Sequence, residues 1–205
     1  MATITTGDST VSTAAIQTLG NLSLVSILAA LTNGNQLSKF PSYSTYSATA
    51  TIAPLATTPT DIFNMTGSAS KIVFITRVEI SGTTTSGSGI SANILLTKKS
   101  ALNTGASNPI TPLPHSSAYS ASGVTAKYYT TNPSALGAAV GAARAARYSF
   151  ATNGTQVQPL IWEFDPTNPS KQLILVNATE NISINLGGTT ITGSVVAINV
   201  EYIEV

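Results

Sequence analysis

One histidine, a few carboxylates and many hydroxyls are the side chains with which this chain could do chemistry. The histidine, His115, lies in the proline-rich stretch ITPLPHSS, among serines that occur throughout the sequence. A Ser-His nucleophile needs base and hydroxyl held within hydrogen-bond reach. No Gly-x-Ser-x-Gly elbow surrounds any serine here. Glycoside hydrolysis needs only two carboxylates, one kept protonated. The candidates are Asp61, Glu79, Glu163, Asp165 and Glu180. Glu163 and Asp165 stand two apart in a predicted strand, so both point to one face, with Trp162 and Phe164 on the other. An enzyme built on them would lose its activity when either is replaced. A polar outer face behind an aromatic core face accounts for the same pattern more simply. Calcium would need several oxygen ligands in a tight loop, and no Asp-rich loop occurs. Gly187-Gly188 is followed by Thr, so it reads as a hairpin turn and not a phosphate cradle. There is no cysteine, hence no disulfide and no thiolate. The expectation is no catalytic, cofactor-binding or metal-binding residue, and no enzyme.

Composition points away from a solitary life in water. The chain has 205 residues, 42% of them hydrophobic, and a positive mean hydropathy, so it can bury a sizeable core. Only 8% of residues are charged, against about 25% in an ordinary globular domain. Ser and Thr fill roughly a quarter of the chain. The net charge is +1, and proteins close to neutrality tend to associate. A subunit covered by partners escapes that problem. The nine basic residues are scattered, with Lys98-Lys99 and Arg144/Arg147 the only close groups. Counterion release on nucleic acid needs clustered cations, so no nucleic-acid partner is expected. The N-terminus, MATITTGDST, lacks a basic region and a long apolar run. Polar residues interrupt Ala14 to Leu31, whereas a membrane span needs about 20 mostly apolar residues. Synthesis in the cytoplasm and no membrane partner are expected.

Three zones organise the chain. Residues 1–13 are rich in Thr, Ser and Gly without apolar periodicity, which predicts a flexible or extended arm. Leu24, Ile27, Leu28 and Leu31 fall at helical spacing, and Asn33-Gly34 supplies a stop. So short a helix must pack its stripe, on its own domain or on a neighbouring subunit. The division is therefore 1–40, arm and short helix, and 41–205, a β domain. Strands are predicted at Tyr43 to Ile52, Asp61 to Met65, Lys71 to Ser81, Ile90 to Lys98 and Val124 to Thr131. Further strands are Leu160 to Phe164, Gln172 to Asn177, Ile182 to Leu186 and Val195 to Val205. Lys71 to Ser81 and Ile90 to Lys98 read as a hairpin around the linker SGTTTSGSG. Ala138 to Arg147 has alanines that favour helix, but Gly141 and the small side chains favour strand. Asn103 to Ser122 is irregular because Pro109, Pro112 and Pro114 exclude a central strand. The fold class is all-β: an antiparallel two-sheet β-sandwich, jelly-roll-like, with an N-terminal arm and one short helix. The seven tyrosines are ordinary strand residues or interface contacts.

From about residue 60 onward the chain resembles a group of small virion-associated proteins of tailed phages and prophages. The resemblance rests on Ile72 to Gly82 (IVFITRVEISG), Lys98-Lys99-Ser100, Asn103-Thr104-Gly105 and Tyr129 to Gly137 (YTTNPSALG). It continues through Val140-Gly141, Arg144, Leu160 to Phe164 (LIWEF), Leu173 to Val176 and Ile184 to Leu186. It ends with Val200 to Glu204 (VEYIE), where relatives usually carry Trp in place of Tyr202. The resemblance supports strand over helix at Ala138 to Arg147. It implies a virion structural protein: a capsid decoration, cement or head-fibre-type subunit. Such a subunit would be a homo-oligomer, a trimer favoured, in contact with other virion proteins such as the major capsid protein. The alternative is a tail-fibre or baseplate module that binds a host-surface glycan, using exposed tyrosines and the loop at residues 82–89.

Overall fold

The computed structural model describes residues 3–6, 9–12, 43–53, 55–152, 155, 158–191 and 193–205. The helix expected at residues 22–31 lies outside them. The chain divides into two compact units, Met1–Tyr43 and Ser44–Val205. In the first, β1 (Thr3–Thr6) and β2 (Ser9–Ser12) pair antiparallel, Thr6 opposite Ser9. The expected loose arm is thus a hairpin over these residues.

The second unit is nearly all β. Its strands are β3 (Ser44–Ile52), β4 (Asp61–Thr66), β5 (Val73–Thr84), β6 (Ile90–Lys99), β7 (Asn108–Ile110) and β8 (Leu113–Pro114). They continue with β9 (Ala126–Tyr128), β10 (Ala139–Thr152), β11 (Leu160–Glu163), β12 (Leu173–Leu175), β13 (Asn181–Asn185) and β14 (Val195–Glu204). All twelve belong to one mixed sheet with the path β7-β9-β4-β13-β6-β10-β5-β14-β3-β8, and β11 and β12 attach to β5. The path holds two antiparallel halves. Their junction is a short parallel pairing, Ala151 and Thr152 of β10 against Thr83 and Thr84 of β5.

β5 anchors its half because both its edges are used. One edge pairs with β14 from Val73 to Thr83. The other takes β12, then β11, then β10 in succession. A bulge in the β5–β14 ladder leaves Thr76 unpaired with β14, between Arg77 opposite Glu201 and Ile75 opposite Tyr202. On the opposite edge the Thr76 carbonyl accepts the Phe164 N–H at 2.8 Å, continuing the β11 ladder. The extra residue explains why the buried positions of β5 run Val73, Ile75, then Val78, Ile80. β14 alternates as its sequence implies: Val196, Ile198, Val200 and Tyr202 are buried, and Asn199 and Glu201 are half-buried.

The expected hairpin of β5 with β6 does not form. β6 pairs with β10 and β13, in the other half of the sheet. The Gly/Ser/Thr linker between them permits a hairpin but does not impose one, and both β5 edges are occupied. Gly187 and Gly188 do form a tight turn, with φ of +63° and +70° and Thr189 N–H bonded to the Leu186 carbonyl. That turn joins β13 to a strand in the opposite half, so it is not the tip of a hairpin. The expected strand over Ala138 to Arg147 is present from Ala139 onward, within β10. Its alanines suit a narrow edge, and β6 supplies its ladder from Lys99 to Ile90.

The core draws on both halves, including Phe63, Met65, Ile75, Ile80, Ile94, Leu96, Phe150 and Ile198. Phe150 is fully buried, and Tyr148 meets its ring edge-on at 4.9 Å. Removing that ring opens a cavity, so Phe150→Ala is expected to cost about 3–5 kcal/mol in chemical denaturation. Val140→Ala, at a 66% exposed position, is expected to stay within about 0.5 kcal/mol of the parent. Equal losses from both would contradict this placement of the core.

Candidate functional site

Four polar constellations emerge once the chain is folded, and only one had been singled out in the sequence. That one surrounds β11. Trp162 and Phe164 are buried while Glu163 is exposed, as the alternation requires. A surface groove of about 510 Å³ lies here, lined by Thr76, Arg77, Glu163, Phe164, Asp165, Lys171 and Glu201 among others. Arg77 bonds Glu79 at 2.7 Å and Glu201 at 3.5 Å. Asp165 is occupied locally: its Oδ1 accepts from Thr167 N at 2.8 Å and Thr167 Oγ1 at 2.6 Å. Those bonds hold its carboxyl below the usual range, and the residue is half-buried. The Glu163 side chain has no hydrogen bond or ion pair among the described residues. The Glu163 side chain is therefore exposed, and the Asp165 carboxylate caps a turn.

The other singled-out residues are dispersed. His115 is exposed, and its backbone N–H bonds Thr45 at 2.9 Å. Glu180 bonds Lys98 at 3.2 Å and the Val176 N–H at 3.0 Å. Among the described residues no group of three His, Asp or Glu side chains could hold a metal ion. Of the tyrosines, Tyr46, Tyr129, Tyr148 and Tyr202 are buried and Tyr119 and Tyr128 half-buried; Tyr43 is exposed.

The second constellation is buried. Asp61 opens β4, Lys99 closes β6, and Asn103 follows four residues later. All three are at most 3% exposed. The Lys99 ammonium contacts Asp61 Oδ2 and donates to Asn103 Oδ1 at 2.9 Å. Asn103 Nδ2 donates to the same Asp61 oxygen at 2.7 Å. Asp61 Oδ1 accepts from Asn185 Nδ2 at 2.6 Å, and the Gly137 N–H donates to Asn103 Oδ1 at 2.9 Å. Backbone bonds from Ser100 to Ala138 and between Thr104 and Ala135 hold the two covering segments together. A side chain at 137 would strike the Ala101 carbonyl, 1.9 Å from where its Cβ would stand. In the sequence Asp61 is one of several separate carboxylates, and Lys98-Lys99 is one of two close groups of basic residues. Only the pairing of β13 with both β4 and β6 brings these residues together.

The third constellation adjoins it. Asn64 Nδ2 reaches Asn181 Oδ1 at 2.6 Å and Ser183 Oγ at 2.9 Å, and Asn181 Nδ2 reaches the Ala101 carbonyl at 2.9 Å. The fourth lies at the end of β14. Glu204 is buried and takes the Ser122 hydroxyl, the Gly123 N–H at 3.0 Å and Lys71 at 3.3 Å. Ser122 also bonds the Tyr202 hydroxyl at 2.7 Å, and the Tyr202 ring stacks on Tyr46 with centroids 5.4 Å apart. These contacts tie the irregular segment before β9 to the sheet.

No protein-family model, curated protein or solved structure matches the chain. None of the helices among the described residues is long and apolar enough to cross a membrane.

Burial pushes up the phenols of Tyr129, Tyr148 and, most strongly, Tyr202 from the ordinary value of 10.0. A proton held more tightly in the fold than in the unfolded chain stabilises fully below that value, and the contribution is lost as pH rises above it. In an alkaline titration these three are expected to ionise together with loss of the β-sheet circular dichroism signal. Complete tyrosinate absorbance with the sheet signal intact would contradict the burial described.

Proposed function

We propose that this chain is a structural subunit of a phage particle, a capsid decoration, cement or head-fibre-type protein that works by association and not by chemistry. In this reading the two antiparallel halves act as the two layers of a jelly-roll-like sandwich. The subunit forms a homo-oligomer, a trimer favoured, and seats on other virion proteins such as the major capsid protein. The observation that carries the reading is the surface of β10. Its edge away from β6 pairs with no described strand until Ala151. Ala139, Val140, Gly141 and Ala142 are exposed in sequence. Leu136 and Leu102, both exposed, belong to the segments that Ser100 and Ala138 tie to the start of this strand. Free edges and contiguous apolar surface are liabilities in a lone soluble protein and assets at an interface. With so few charges there is little to keep copies apart.

The groove beside β11 favours a second reading, a tail-fibre or baseplate module that binds a surface glycan. Arg77, Glu163, Lys171 and Glu201 offer it polar contacts for hydroxyls. Against it stands the burial of most tyrosines, which leaves few aromatic faces for sugar rings.

The test is incorporation. A chain lacking residues 1–43 keeps every residue of the core cluster and is expected to retain its β-sheet spectrum and cooperative unfolding. It is expected to be absent from purified particles. A second variant, Val140→Lys with Leu136→Lys, is expected to fold normally and lose self-association in analytical ultracentrifugation. Incorporation of both variants at parental level would refute the proposal, and saturable binding on a glycan array would favour the second reading.

A further inference from the structure

The buried trio at the ends of β4 and β6 has more order than a loop anchor requires. It holds an amine, a side-chain amide and a carboxylate in mutual contact, and all three are almost without solvent. The amine is already on the amide: Lys99 Nζ lies 2.9 Å from Asn103 Oδ1, so the adjoining carbon is within close approach. The amide oxygen takes a second bond from the Gly137 N–H at 2.9 Å, a fixed backbone donor where negative charge would develop. A single carboxylate oxygen, Asp61 Oδ2, touches both the amine and the amide nitrogen. Asn185 holds the other oxygen at 2.6 Å and so fixes the carboxylate's orientation. Tyr129, only 2% exposed, lies beside Asn103 and Asp61 and helps exclude water.

From this geometry we propose that Lys99 and Asn103 condense spontaneously into an isopeptide bond, with Asp61 as the proton carrier. Lys99 passes one ammonium proton to Asp61 along their existing contact. The free amine then attacks Cγ of Asn103, forming the new C–N bond and moving the carbonyl π pair onto Oδ1, where the Gly137 N–H receives it. Asp61 gives its proton to Nδ2. The Cγ–Nδ2 bond breaks, the carbonyl re-forms and ammonia leaves. The nitrogen of the new amide returns its surplus proton to Asp61, which ends as a neutral acid. Nothing is oxidised or reduced and no external reagent enters. Holding the reacting groups together replaces an encounter in solution, and amines in dry sites are established nucleophiles. Asn103 is the electrophile because its oxygen has the backbone donor, whereas both Asp61 oxygens accept bonds in the manner of a carboxylate. The reaction exchanges a buried ammonium for a neutral amide.

Intact mass spectrometry of the purified full chain, denatured before injection, tests this directly. The expected result is a mass below that of the sequence by one ammonia. After tryptic digestion, Lys99 is expected to be uncleaved and joined to Asn103 in fragment spectra. A mass equal to that of the sequence overturns the proposal, and so does loss of water with a Lys99–Asp61 linkage, which would make Asp61 the electrophile. Asp61→Asn is expected to restore the full mass. Should that variant not fold, Asn103→Ala is expected to do the same, and cleavage after Lys99 returns. Loss of ammonia persisting in Asn103→Ala would also overturn the assignment.

Discussion

The structure of the second unit depends on β5 being hydrogen-bonded along both edges. A backbone amide buried away from water is costly when left without a partner, so the amides of a buried strand must find one another. β5 does this for four other strands, β14 on one side and β12, β11 and β10 on the other. Two close approaches mark where no side chain is tolerated around it. At Gly82 a Cβ would stand 2.5 Å from the Val195 carbonyl and 2.9 Å from the Phe150 ring. At Gly67 it would stand 2.4 Å from the Asn177 carbonyl. Glycine is therefore needed at Gly82 so that β10, β14 and β5 can converge at the junction of the two antiparallel halves.

Polar side chains do in the irregular segments what ladders do in the strands. The connections after β6 and before β9 form no strand, and each is held by a buried polar group on the sheet. Asp61, Lys99 and Asn103 clamp the first, and Glu204 with Ser122 and Tyr202 clamps the second. Buried polar groups are expensive when one partner is missing, so such sets specify a single arrangement. Condensation of Lys99 with Asn103 would make one of these arrangements permanent.

The surface follows a different logic. The charged residues are largely paired with each other, as in Arg77 with Glu79 and Glu201, or buried, as in Lys99 with Asp61. Little net charge remains to discourage contact between copies. The exposed stretch of β10, with small side chains and an open edge, is the part of the sheet least suited to water.

The strands were legible in the residues because alternation is a local property. Val196, Ile198, Val200 and Tyr202 declare a buried face without reference to anything else, and Trp162 and Phe164 do the same around Glu163. The all-β class could be read in this way, while the strand nature of the alanine-rich segment rested on Gly141 and its small side chains, and the tight turn at 187–188 on its paired glycines. Partner choice could not. Whether β5 pairs with β6 or with β14 depends on which edge is already filled, a matter settled by strands more than a hundred residues apart in the chain. For the same reason Lys99 looked like half of a surface pair and Asp61 like a stray carboxylate. Composition determined that this protein is β-rich, poorly charged and devoid of thiol chemistry. Only the tertiary fold decided that Asp61, Lys99 and Asn103 are buried together, because contact between residues far apart in sequence is set by ladder pairing and not by spacing along the chain.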